Sequence, residues 1–197
     1  DMEAEGFAVD RRGVERFGEQ LDRDIGLVSE EITRLAGEEF NINSTRELGH
    51  ILFEKLGLPA RKKTKTGYST NIEVLEELYE AHPIIPQVIE YRKLTKLSST
   101  YVTGLLKVLG PEGRVHSTFN QTETRTGRIS STEPNVQNIP VRTPLGSEMR
   151  RFFVAAEGYT LVDADYSQIE LRILAHIAND KNMIEAFQQK ADIHAIT

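Results

Sequence analysis

Two apolar stripes at helical spacing limit this chain to a helical body with smaller elements attached. Over residues 10–37 the side chains Val14, Phe17, Leu21, Ile25, Val28, Ile32 and Leu35 recur at intervals of three and four, which lays them along one face of a single long helix. Asp10 stands where an N-cap belongs. A matching stripe of Ile85, Val88, Leu94, Leu97, Tyr101, Leu105 and Val108 predicts a second long helix over about 84–109, and two such faces bury each other by packing antiparallel. Periodicity by itself fits a core helix pair and a coiled-coil dimer equally.

Between the stripes the punctuation predicts two short helices. Ser44 with Glu47 forms a capping-box pattern, and Gly57 followed by Pro59 ends that helix. Thr70 with Glu73 repeats the pattern, and His82-Pro83 marks the next stop. Gly110, Pro111 and Gly113 then break the helical period, placing a domain boundary near 109–113. Val115 to Asn120 alternates as a strand does. Residues 121–146 show neither period, and a loop of that length is functional or disordered. Phe152–Val154 reads as a further strand.

Composition narrows the class. A charged fraction of 27% and a hydrophobic fraction of 39% are ordinary for a globular protein, and no stretch approaches the roughly 18 apolar residues of a membrane span. No membrane association and a cytoplasmic location are expected. Zero cysteines exclude disulfides and thiolate metal sites. The net charge of −6 argues against nucleic acid until its distribution is considered. Residues 59–68 carry Arg61, Lys62, Lys63 and Lys65 with no acid, and residues 91–111 carry Arg92, Lys93, Lys96 and Lys107 with none. The first of these windows is followed closely by a predicted helix N-terminus, where backbone amides add to the lysines as an anion site. A solvated loop has the same composition.

Acid then meets β-forming sequence at residues 160–176, TLVDADYSQIELRILAH. Leu161 and Val162 read as a buried strand, on which alternation puts Asp163 and Asp165 on one face. Ile169, Leu171, Ile173, Leu174 and Ile177 turn to helical spacing after Ser167. A carboxylate at such a junction suits a hard cation such as Mg²⁺, with substrate phosphates completing the shell. Read alone, Asp165 is equally a turn residue or a helix N-cap.

The string DADYSQIELR closely resembles the palm motif A of family A DNA polymerases, the bacterial DNA polymerase I type. MEAEGFAVD, EFNINSTRELGHILFEKLGLP, KKTKTGYST, YRKLTKLSSTY, TRTGRISSTEPNVQNIPVR and DIHAIT resemble that family in the same order, so the likeness covers nearly the whole chain. It implies an α+β fold: a helical thumb with a long antiparallel helix pair over 1–108, a partial antiparallel palm sheet with motif A over 109–171, and the start of the fingers over 172–197. The implied activity is template-directed transfer from a deoxynucleoside triphosphate (dNTP) to a primer 3′-hydroxyl, by a monomer acting on primer–template DNA with two Mg²⁺ ions.

The same resemblance implies the site residues. Asp165 and the backbone carbonyl of Tyr166 would ligate Mg²⁺. Gln168, Glu170 and His194 would face the nucleotide, with Glu170 closing the space beside the sugar 2′ position. Lys62, Lys63 and Lys65 at the thumb tip would grip the duplex backbone, while Arg128, Asn135, Gln137 and Asn138 would lie along the minor groove. Donors there sense pairing geometry with little regard to sequence, since A and T both present only acceptors. Arg142 and Arg150 would sit near the active site. Asp163 departs from the family pattern, which has a small or uncharged residue there. The fingers arginine and lysine and the second palm aspartate are expected after Thr197, so the chain by itself is expected to be inactive. The alternative is a non-catalytic duplex DNA-binding module.

Overall fold

The first stripe becomes a helix of 26 residues whose two ends are both capped by sequence. The structure is a computed structural model that describes residues 1–60, 67–139 and 144–189, with the backbone alone of 63 and 64. A short helix α1 (Met2–Glu5) and strand β1 (Phe7–Val9) precede helix α2 (Arg11–Ala36). The Asp10 carboxylate accepts the Gly13 amide at 3.0 Å, and Gly37 closes the far end at φ 74°, a left-handed conformation that suits glycine.

Helix α3 (Thr45–Gly49) continues as a π-helical stretch, His50–Lys55, before Gly57. Ser44 Oγ accepts the Glu47 amide at 3.3 Å, whereas the Glu47 carboxylate takes the Asn41 amide at 2.8 Å in place of the reciprocal bond. Strands β2 (Lys63–Thr64) and β3 (Gly67–Tyr68) pair antiparallel where the sequence predicts an open loop. Helix α4 (Ile72–Glu77) is capped by Asn71, not Thr70, because the Thr70 hydroxyl is already engaged by Arg92 Nη2 at 2.9 Å.

Helix α5 (Ile84–Lys96) runs without a break through a π-helical stretch, Leu97–Thr103, into α6 (Gly104–Val108). The packing is antiparallel. Ile32 and Ala36 share a core cluster with Ile84, Ile85 and Val88, while Val14 and Leu21 share another with Leu94, Val102 and Leu105. Contact is close enough that a methyl on Gly18 would lie 2.8 Å from Val102 Cγ1. Val108, counted in the stripe, is exposed.

The predicted strand at Val115–Asn120 is two strands in two sheets. Strand β4 (Arg114–Val115) pairs with β1, and β5 (Thr118–Asn120) pairs with β6 (Ser130–Thr132). The break falls where the side chains of His116 and Ser117 turn to the Glu3 carbonyl at 2.8 Å and the Pro134 carbonyl at 2.9 Å. Residues 121–146 are therefore not one loop: they contain β6, a 3₁₀ turn Val136–Asn138 and the start of helix α7 (Pro144–Arg151). Strand β7 (Phe153–Val154) pairs antiparallel with β1, making β1 the middle of a three-stranded sheet. Residues 7–9 thus join the segment beyond 113, a pairing without a local sequence signal.

Residues Asp1–Tyr159 form one compact unit and Thr160–Thr197 a second. In the second, helices α8 (Ile169–Ala178) and α9 (Lys181–Gln188) pack together, and Asp180 caps α9 through the Met183 amide at 3.0 Å. The strand expected at Leu161–Val162 is absent: residues 160–166 have no regular structure, with Leu161 and Val162 exposed. Apolar, β-branched sequence does not make a strand without a partner edge, and no described strand pairs with it. Asp163 and Asp165 are consequently not placed on a strand face. The chain as a whole is α+β, a long antiparallel helix pair joined to small antiparallel sheets.

Candidate nucleic-acid and nucleotide site

In the first unit the predicted donors collect around the end of β6. Asn135 precedes the 3₁₀ turn and shapes it: its Oδ1 accepts the Gln137 amide and the Ser131 hydroxyl, both at 3.1 Å. Ser131 is fully buried. Gln137 spends its own amide inward, Oε1 accepting the Ser131 N–H at 3.1 Å and Nε2 donating to the Ile129 carbonyl at 2.9 Å. The Asn138 carbonyl accepts the Tyr101 hydroxyl at 2.6 Å, which ties the turn to the long helix. Asn135, Gln137, Asn138 and Arg128 are all exposed.

Between this turn and the helix lies a cleft of about 540 Å³, with Lys96, Thr100 and Tyr101 on one wall and Asn135, Asn138 and Ile139 on the other. One cation and two side-chain amides line it beside apolar side chains such as Leu105, Met149 and Phe153, with no described carboxylate in its walls. The structure thus brings Asn135, Gln137 and Asn138 together with Tyr101 and Ser131, neither of which sequence reasoning selected. Tyr101 occupied a slot in the apolar stripe and read as core. Ser131 carried no signal at all.

The second unit holds the acidic motif. Asp163, Asp165 and Tyr166 are exposed in the irregular segment ahead of α8. Gln168 enters the helix at φ 54°, ψ 41°, a left-handed conformation uncommon for any residue but glycine, and it makes no side-chain cap. Arg172 closes the turn instead: its Nε donates to the Ser167 carbonyl at 2.8 Å while its guanidinium lies 4.5 Å from the Phe187 ring centroid. Glu170 is exposed in the first turn of α8. The oxygen donors of Asp165 and Tyr166 fit Mg²⁺ in kind. Among the described residues no group of three His, Cys, Asp or Glu side chains is gathered to hold a metal ion.

Lys62, Lys65, Arg142 and His194 lie outside the described residues, as does the side chain of Lys63. Arg150 is exposed on α7. No described helix is long and apolar enough to cross a membrane.

The sequence model of DNA polymerase family A matches residues 11–197. Over its whole length the chain is 52% identical to the DNA polymerase I of Caldicellulosiruptor bescii and 53% identical to that of Geobacillus stearothermophilus, spanning 23% of each. It is 52% identical to the thermostable DNA polymerase I of Thermus aquaticus, spanning 24%. Among solved structures it resembles the POL domain of Pol1 from M. smegmatis in complex with DNA primer-template and dNTP, with a TM-score of 0.83 and 42% identity. That likeness covers 96% of this chain and 34% of the other. The chain spans about a quarter of the length of the curated relatives it matches.

Proposed function

Since this chain belongs to DNA polymerase family A, we propose that it is the part of a cytoplasmic DNA-directed DNA polymerase that holds the primer–template and supplies the first catalytic carboxylate. Residues 1–108 act as thumb, 109–171 as palm with motif A, and 172–197 as the start of the fingers. The observation that carries this reading is the likeness, over 96% of the chain, to a polymerase domain solved with primer-template and dNTP.

Lys62, Lys63 and Lys65 neutralise backbone phosphates, an interaction indifferent to sequence. Arg128 and the Asn135, Gln137, Asn138 turn serve the minor-groove face of the primer end, and Arg142 lies close to the reacting centre. Asp165 and the Tyr166 carbonyl would hold Mg²⁺, and His194 and Gln168 approach the dNTP. When bound, the two Mg²⁺ ions lower the pKa of the primer hydroxyl and offset the charge of an in-line displacement at the α-phosphate. The protein's own share is positioning: reactants held in line recover much of the barrier as prepaid entropy. Glu170 adds selection, filling the space a ribose 2′-hydroxyl needs. Replication and repair synthesis are the processes such an enzyme serves.

The test is binding of a fluorescent primer–template duplex to the 197-residue chain by anisotropy, across 25–200 mM salt. Affinity that falls steeply with salt and is alike for unrelated sequences supports the reading. No binding at the lowest salt contradicts it.

A further inference from the structure

We propose that Gln137 is a positioning residue, which fixes the register of the duplex-facing donors and does not itself touch DNA. An exposed glutamine in a 3₁₀ turn is ordinarily a solvated amide, but this one bonds at both ends to backbone. Its Oε1 accepts the Ser131 N–H at 3.1 Å and its Nε2 donates to the Ile129 carbonyl at 2.9 Å. Residues two apart on a strand present their N–H and C=O on one side, so the side-chain amide occupies the edge of β6 opposite β5 much as a neighbouring strand would.

The bridge links two pieces of chain that sequence leaves independent. Ile129 directly follows Arg128, and Gln137 directly precedes Asn138, so the amide sets the spacing between these two donors. The turn is fixed on its other side by the Tyr101 hydroxyl on the Asn138 carbonyl at 2.6 Å. Beneath it the buried Ser131 hydroxyl donates to Asn135 Oδ1 at 3.1 Å. What remains outward is the side-chain amide of Asn138 and Nδ2 of Asn135, which make no hydrogen bond to any described residue. Donors held in place before the duplex arrives lose less freedom on binding it.

This inference rests on the duplex-binding reading above, and the experiment separates the two. Affinity for a fluorescent primer–template duplex is measured for the 197-residue chain and for Gln137→Ala, Arg128→Ala and the double variant. A positioning Gln137 predicts that Gln137→Ala weakens binding by about 5- to 20-fold in the parent, and by about a third of that factor or less once Arg128 is gone, the remainder being the register of Asn138 and Asn135. Losses that multiply mean a direct contact and overturn the proposal. Amide exchange of Ser131 in the free chain is the second arm: it accelerates in Gln137→Ala, and Gln137→Glu, which keeps only the acceptor, falls between. Unchanged Ser131 exchange also overturns the bridge. If the parent chain binds no duplex, the duplex-binding reading fails and the positioning role falls with it. Binding with multiplied losses sinks the positioning role alone.

Discussion

Replacing Arg92 with methionine removes the clamp that joins the long helix to the segment following the basic loop. The Arg92 guanidinium donates Nη1 to the Thr70 carbonyl and Nη2 to the Thr70 hydroxyl, and Thr70 is only 3% exposed. Burial alone pushes the guanidinium below the ordinary arginine pKa, the mark of a charge held by geometry with partial loss of water. Hydrogen bonds from a charged donor contribute about 1.5–3 kcal/mol each, and a buried carbonyl left unpaired costs about 1–3 kcal/mol. Methionine keeps the packing of the stem and ends the desolvation of a half-buried charge, which offsets part of this. The expected net loss is about 2–3 kcal/mol, a fall in urea midpoint of about 0.7–3 M for a usual slope of about 1–3 kcal/mol/M. Thr70→Val retains the carbonyl bond and loses about 1 kcal/mol. The assay is urea denaturation of the parent, both single variants and the double variant. A loss under about 0.5 kcal/mol for Arg92→Met would mean that Arg92 clamps nothing and is only a surface cation.

His116 supplies a pH dependence: the Glu3 carbonyl first and the Glu112 carboxylate second raise its pKa, against partial desolvation and the Arg114 charge. Its contribution is complete below the ordinary histidine value near 6.5 and disappears as pH rises through the raised folded value, so the parent should exceed His116→Gln in thermal midpoint at pH 6 and match it at pH 9. A difference that persists at pH 9 contradicts a contribution from the charged imidazole. Replacing Lys62, Lys63 and Lys65 with alanine should flatten the salt dependence of duplex affinity by about 0.9 in log–log slope for each lysine that meets a phosphate. An unchanged slope makes the loop a solvated surface. In a complete polymerase carrying this segment, Glu170→Ala should raise ribonucleotide relative to deoxynucleotide efficiency, read as the ratio of the two kcat/KM values. An unmoved ratio removes Glu170 from sugar selection.

How much of the fold could be read in advance follows from where each element keeps its information. Helix α2 carries its own period, its Asp10 cap and its Gly37 stop, so it is legible residue by residue. The β5–β6 pair is legible on one side only: Thr118–Asn120 lies within the alternating run from Val115, whereas Ser130–Thr132 has no apolar alternation and is held in part by Ser131, Asn135 and Gln137. The strand at Leu161–Val162 fails for the opposite reason, since local preference needs an edge to pair with. Thr70 reads as a cap until Arg92, 22 residues away in sequence, takes its hydroxyl. At the candidate site the residue types were legible and their division of labour was not: nothing in NVQN distinguishes an amide turned outward from one turned back onto its own strand.

Whether this segment supplies the catalytic carboxylate of a polymerase can be measured in a chimera. Exchanging the matching segment of the Geobacillus stearothermophilus DNA polymerase I, 53% identical over the full chain, for residues 1–197 places Asp165 in a complete enzyme. Primer extension is then measured with and without Asp165→Ala, alongside primer–template affinity. The chimera should extend the primer, and Asp165→Ala should lower the rate by about a thousandfold or more while affinity stays within about threefold. Extension by the Asp165→Ala chimera at a rate near the parent's contradicts that role for Asp165.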